Sequence, residues 1–338
     1  MLLLVSFLQI RFITVLNTKT STKIPVIVIF APTASGKTAL TRELFSPKGS
    51  YFILNAEIIS ADSQAVYNGM DIGTAKPEPE LCSEIPHHLI NIVNPDTQFT
   101  VADFVTQADN ACNQIYHRGN IPVVCGGTGF YIRNFLYGLP ATPESSPVIR
   151  EQIQNRLSIE GKEALYTELK ALDPVSAEKI HVNDEYRICR ALEVYYTTGK
   201  TRSSYQMEQN LRNKYDFLFI ILEPERHLLF ERIHKRVDIM FDMGLENEVR
   251  SLIKQGYGKD TPGMKAIGYS EFFQYSTKEE IASAIKHNSC KYAKKQYTYI
   301  KDIGCGIRIQ NYTGSEEQLL QIKNLINTFT ASCLATGF

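Results

Sequence analysis

Pro25-Val26-Ile27-Val28-Ile29-Phe30 runs directly into Ala31-Pro32-Thr33-Ala34-Ser35-Gly36-Lys37-Thr38, and Ala39-Leu40-Thr41-Arg42-Glu43-Leu44 follows. An apolar run, a glycine-bearing loop, Lys-Thr and a helical segment come in the order that a P-loop requires. Such a loop binds anions. Backbone N–H groups at the helix start point at a phosphate, and the helix dipole adds partial positive charge. Thr33, Ala34, Ser35, Gly36, Lys37 and Thr38 are the expected cradle. Lys37 is expected to reach the outer phosphate oxygens, and the Thr38 hydroxyl to hold Mg2+. Ala31 stands where a glycine is usual, at a cost of about 1 kcal/mol if its backbone requires positive φ.

Further along, residues 57–60 form an apolar strand pattern that ends in Ala61-Asp62-Ser63-Gln64. Residues 71–77 are rich in turn formers, and a short strand is expected at 89–93. Residues 101–117 carry apolar positions at helical spacing. Ile121-Pro122-Val123-Val124-Cys125 reads as another buried strand, opening into Gly126-Gly127-Thr128-Gly129 and a helix. Strands alternating with helices predict an α/β fold: a parallel sheet flanked by helices on both faces. All three polar loops then lie at the carboxyl edge of the strands, where such sheets bind ligands.

The pattern changes near residue 140. Two proline-bearing stretches precede helical patterns that run to Gly199, the clearest at 185–197, and the sheet pattern resumes at 216. The expected division is an extension at 1–23, a core at 24–140, an inserted all-helical domain at 141–215, more core at 216–315 and a C-terminal helix or tail at 316–338. The extension is expected to be dispensable.

The 338 residues are 43% hydrophobic and 21% charged, with 36 basic and 36 acidic side chains. A balanced charge excludes a global field for polyanions and leaves local patches to hold any nucleic acid. Seven cysteines without C-x-x-C pairs read as reduced thiols, hence a cytoplasmic protein. Residues 1–10 are apolar but too short to span a bilayer, so no membrane association is expected.

Single motifs leave choices open. Asp62-Ser63 suits a helix cap as well as a carboxylate that takes a proton from a nucleophile. The glycine run suits a tight turn as well as close approach to a phosphate or base, with Thr128 as donor. The strand before it ends in glycine where NTPases usually place a magnesium-shell Asp, which argues against ATP hydrolysis. His287, Lys291, Lys294, Thr298 and Lys301 share one helix face. That face, with tyrosines at 292, 297 and 299, fits a solvated surface or an RNA backbone with unstacked bases.

Taken together, the chain resembles the tRNA dimethylallyltransferase family over residues 25–312. The matching stretches are A-P-T-A-S-G-K-T at 31–38, I-I-S-A-D-S-Q-A-V-Y-N-G-M-D-I-G-T-A-K-P at 58–77 and F-T-V-A-D-F at 99–104. Others are I-P-V-V-C-G-G-T-G-F-Y-I at 121–132, R-I-C-R-A-L-E-V at 187–194, M-K-A-I-G-Y at 264–269 and A-K-K-Q-Y-T-Y at 293–299. The resemblance implies transfer of a dimethylallyl group from its diphosphate to the exocyclic amine of the adenosine 3′ of the anticodon. It implies Asp62, Thr128, Lys37 and Arg236 as catalytic residues. Implied tRNA contacts are Asp62, Ser63, Gln64, Ala65, Gly127 and Thr128; Tyr186, Arg187, Ile188, Cys189 and Arg190; Lys265, Ala266, Ile267, Gly268, Tyr269 and Ser270; and Lys294, Lys295, Gln296, Tyr297, Thr298, Tyr299, Ile300 and Lys301. The implied partners are the anticodon stem-loop of tRNA and dimethylallyl diphosphate, with Mg2+ as cofactor and the enzyme a monomer. Departures from the family pattern are Ala31, Tyr186 for glutamine, Tyr299 for tryptophan and Lys301 for arginine. A small-molecule P-loop kinase and a non-catalytic RNA-binding module are the rival readings.

Overall fold

The computed structural model describes residues 23–140, 142, 146–205, 210–301 and 303–337. The expected extension at 1–23 lies outside them, apart from Lys23. Six strands form one sheet: β1 (Ile24–Phe30), β2 (Ala56–Ser60), β3 (His87–His88), β4 (Ile121–Gly126), β5 (Tyr215–Glu223) and β6 (Ile307–Gln310). Their order is β3-β2-β4-β1-β5-β6, and every pairing is parallel. β1 is central because its whole length is apolar and can be covered on both faces. Its residues alternate between layers. Val26, Val28 and Phe30 enter one with Phe104, Ile115 and Phe135; Ile27 and Ile29 enter the other with Leu40, Leu44, Ile322 and Ile326.

The helices that build these layers are α1 (Lys37–Phe45), α2 (Pro79–Glu84), α3 (Val101–His117) and α4 (Gly129–Tyr137). α3 keeps its expected bounds because Thr100 and Asp103 cap each other: the Thr100 hydroxyl accepts from the Asp103 N–H, and the Asp103 carboxylate accepts from the Thr100 N–H. A cap of this kind is worth about 1 kcal/mol. The strand expected at 89–93 does not form. Leu89 and Asn91 take left-handed backbone, φ 62 and 55, which turns the chain out of the sheet after the two residues of β3.

The insertion comprises α5 (Pro147–Glu160), α6 (Lys162–Leu172), α7 (Pro174–Lys179) and α8 (Glu185–Thr198). These helices bury Ile153, Leu165, Leu169, Ile188 and Leu192 in a core of their own. The sheet resumes at Tyr215, one residue inside the expected insertion. After it come α9 (Arg226–Asp242), α10 (Leu245–Lys254), α11 (Lys278–Lys301) and α12 (Glu316–Gly337). α12 is no tail: Leu319, Ile322 and Ile326 are buried beneath the sheet.

Candidate active site

The chain leaves β1 toward one side of the sheet and β4 toward the other, and the crevice between their carboxyl ends is the expected ligand position. The loop after β1 enters α1 through Gly36, whose φ of 94 is left-handed. Ala34 is left-handed as well, with φ 60. Ala31 does not adopt positive φ, so the anticipated strain, about 1 kcal/mol for a residue with a Cβ, falls at Ala34 instead. Lys37 folds back over this loop, and its ammonium donates to the Ala31 and Pro32 carbonyls, both at 2.9 Å. Burial, with a smaller push from nearby Arg236, lowers its pKa to about 8 against the opposing influence of Cys125 and Asp62. Arg236, on α9, donates to the Thr33 hydroxyl at 3.4 Å, and burial lowers its pKa too. Two partly buried cations thus meet at one loop, with the Asp62 carboxylate nearby. The Ser35 hydroxyl in the same loop is buried and has no hydrogen-bond partner among the described residues. Thr38 lies exposed in the first turn of α1.

Sequence reasoning passed over Arg232. It stands one turn before Arg236 on α9 and close to Tyr312, whose ring lies 3.7 Å from where Gly36 would carry a Cβ. Only the four-residue spacing Arg232–Arg236 could have signalled it.

Asp62 follows β2. Its Oδ1 accepts from the Gln64 and Ala65 N–H groups at 2.8 and 3.4 Å, so the residue does cap the turn. Oδ2 has no hydrogen bond among the described residues, and the same carboxylate lies near enough to Lys37 and Arg236 to favour their charged forms. One oxygen shapes the loop; the other is available for chemistry. The Thr128 hydroxyl accepts from the Ser63 N–H at 3.0 Å, and the Thr128 N–H donates to the Ala61 carbonyl, tying the loops after β2 and β4 together. The glycines make room for protein. A Cβ on Gly126 would sit 2.1 Å from the Ala61 oxygen, one on Gly127 2.6 Å from Gln296 Nε2, and one on Gly129 2.5 Å from the Tyr299 ring. Tyr292, on α11, is exposed as a residue but turns its hydroxyl toward Thr128 and Gln296, and the desolvation of that hydroxyl raises its pKa to about 12.

α11 presents His287, Lys291, Lys294, Thr298 and Lys301 to solvent, as the spacing predicts, with Lys295 also exposed. Lys294 is steadied over the Phe230 ring. Tyr186 and Arg187 are exposed at the start of α8, and Arg190 is half-buried there. Lys265 is exposed, and Ile267 and Ser270 are partly so. Several expected tRNA contacts do not reach a surface. Ile188, Cys189, Ala65, Ala266, Tyr269, Gln296 and Ile300 are buried, as are Gly127 and Gly268, because each packs in a helix interface or a loop contact. Tyr269 donates to Glu248, whose carboxylate also accepts from the N–H groups of Asp71, Ile72 and Gly73. Tyr297 is likewise committed, donating to the Pro224 carbonyl. These residues shape the site from behind.

The model of the IPP transferase family matches residues 65–303. A tRNA dimethylallyltransferase of Bacillus subtilis (strain 168) is 40% identical over 287 residues, 83% of this chain and 89% of that protein. One of Geobacter sulfurreducens is 39% identical over 291 residues, 85% of this chain and 92% of its own length. Among solved structures, the full-length tRNA isopentenylpyrophosphate transferase of Bacillus halodurans superposes with a TM-score of 0.66 at 32% identity, covering 93% of this chain and 99% of that one. A eukaryotic dimethylallyltransferase acting on tRNA gives a TM-score of 0.76 at 29% identity, covering 90% and 79%.

Proposed function

The chain belongs to the IPP transferase family and is a prenyltransferase that acts on tRNA, and from that premise we propose the donor, the acceptor and the roles of the residues. The donor is dimethylallyl diphosphate. The acceptor is the exocyclic N6 amine of the adenosine 3′-adjacent to the anticodon, in the anticodon stem-loop. The observation that carries this reading is the pair of half-buried cations, Lys37 and Arg236, set beside the Asp62 carboxylate in one crevice. A diphosphate is the anion that such a pair of cations would hold, and the loop N–H groups add further donors.

The donor's C1–O bond breaks and the new C1–N6 bond forms. The electron pair of the broken bond departs on the diphosphate, where Lys37 and Arg236 offset the developing charge. The amine loses one proton, which Asp62 Oδ2 takes up. Thr128 holds Ser63, and through it the carboxylate-bearing turn, in place. The target base must leave its stack for its amine to enter the crevice.

Magnesium fits this donor set: the Thr38 hydroxyl is an exposed hard oxygen, and the described residues hold no cluster of three or more His, Cys, Asp or Glu that would form an all-protein cage. When bound, the ion would neutralise diphosphate charge. Among the described residues no helix is long and apolar enough to cross a membrane. A monomeric, cytoplasmic enzyme completes the proposal.

The test is transfer of label. Radiolabelled dimethylallyl diphosphate with tRNA lacking the modification should put label into the RNA. Phosphate transfer from ATP without such labelling would replace the proposal with a kinase.

A further inference from the structure

α11 turns its cations to solvent, yet its inward side chain Gln296 is only 4% exposed. Its Oε1 accepts from the Thr33 N–H at 3.1 Å, 263 residues away in the chain. Its Nε2 donates to the Gly127 carbonyl at 2.7 Å, across 169 residues. One partner is a donor and the other an acceptor, and the carboxamide in this orientation satisfies both at once. Thr33 also receives Arg236, and Gly127 directly precedes Thr128. The same helix supports both loops around this point: Ala293 packs with Ala34, Tyr292 contacts Thr128, and the Tyr299 ring fills the space beside Gly129.

We propose that Gln296 is a positioning residue that spans the phosphate loop and the loop bearing Thr128, setting the distance between the bound diphosphate and the acceptor amine. This rests on the donor and acceptor assignments above. Gln296 lies between exposed lysines, so a contact with RNA is the competing role. The two make opposite demands. A strut between loops governs donor binding and turnover, whereas an RNA contact governs tRNA affinity. An error of about 1 Å between reacting groups costs on the order of 100-fold in rate.

Gln296→Met keeps the volume and removes both hydrogen bonds. Inorganic pyrophosphate binding by calorimetry, tRNA affinity by filter binding, and kcat and KM for each substrate should be compared with the wild-type chain. The expected result is pyrophosphate binding and kcat each reduced roughly 10- to 100-fold, with tRNA affinity unchanged. Gln296→Asn, which keeps an amide too short to span both loops, should show the same ranking and serves if the Met variant does not fold. Weakened tRNA binding with intact pyrophosphate binding would overturn the proposal in favour of RNA contact. Wild-type values throughout, or failure of both variants to fold, would overturn it in favour of a passive core residue. Failure of the wild-type chain to bind pyrophosphate or label tRNA would instead sink the functional assignment, so the two are read separately.

Discussion

Lys37 is a half-buried cation whose ammonium, among the described residues, donates to two carbonyls of its own loop, and that arrangement dictates how its removal is felt. Lys37→Ala should lower transfer by roughly 10²–10³, the usual worth of one electrostatic contact to a developing anion, with tRNA affinity nearly unaltered. Because its pKa is lowered from 10.5 to about 8, the unfolded chain binds this proton more readily than the folded one between those values. The Lys37 contribution to stability therefore rises with pH across that window. Pyrophosphate affinity should move the opposite way, falling as pH passes about 8; calorimetry from pH 7 to 9.5 reads both trends. Asp62→Asn separates the residue's two oxygens. Asparagine retains the cap through one acceptor but takes up no proton, so turnover should fall roughly 10²–10⁴ while the melting temperature and both substrate affinities persist. Turnover within a few-fold of wild type would leave Asp62 as a cap alone.

At the scale of elements, α11 is both a solvent-exposed basic surface and the back wall of the crevice. If Lys294 and Lys301 each meet a phosphate, replacing both with alanine should flatten the log–log salt dependence of tRNA affinity by roughly 1.4–1.8. An unchanged slope would leave the stripe a solvated face. The outward face of α11 was legible in the sequence because helical spacing alone sorts His287, Lys291, Lys294 and Lys301 from Ala293 and Ile300. The inward role of Gln296 was not, since its partners are backbone groups far away in the chain and no pattern of residue types marks them. Glu248 escaped for the same reason: it works by accepting the N–H groups of Asp71, Ile72 and Gly73. The conspicuous D-I-G-T-A-K-P run at 71–77 is thus explained by how it is held. Lys76, for instance, donates to the Tyr67 carbonyl and to Asp71. The missing strand at 89–93 had an apolar composition that fitted, but the backbone turns at Leu89 and Asn91 left no such trace.

Across the whole molecule, the edge of the sheet away from the crevice is fastened by Glu57, which accepts from Arg118, Asn120 and His88. Burial alone would raise its pKa, but these hydrogen bonds and the Arg118 charge outweigh it and lower the value to about 2. For a carboxyl depressed on folding, the stabilisation is full above the unfolded value near 4.5 and is lost as pH falls toward 2. Arg118→Ala should cost about 1–3 kcal/mol at neutral pH, with the difference from wild type shrinking in acid. Denaturant titrations at pH 7 and pH 3 check this; an equal cost at both would show that Arg118 acts by packing.

The position of β1 has a consequence for synthesis. It pairs with β4 on one side and β5 on the other, in register from Ile24 with Tyr215 to Phe30 with Ile221. A nascent chain that has completed β4 still presents one bare, wholly apolar edge of β1, and it must emit the entire inserted helical unit before β5 arrives to cover it. An unpaired apolar strand edge is a template for association with other chains. The insertion, having its own core, can close while the edge waits. Slowing its translation should thus lengthen the interval of exposure, and soluble yield should fall with the delay even though the finished protein is identical.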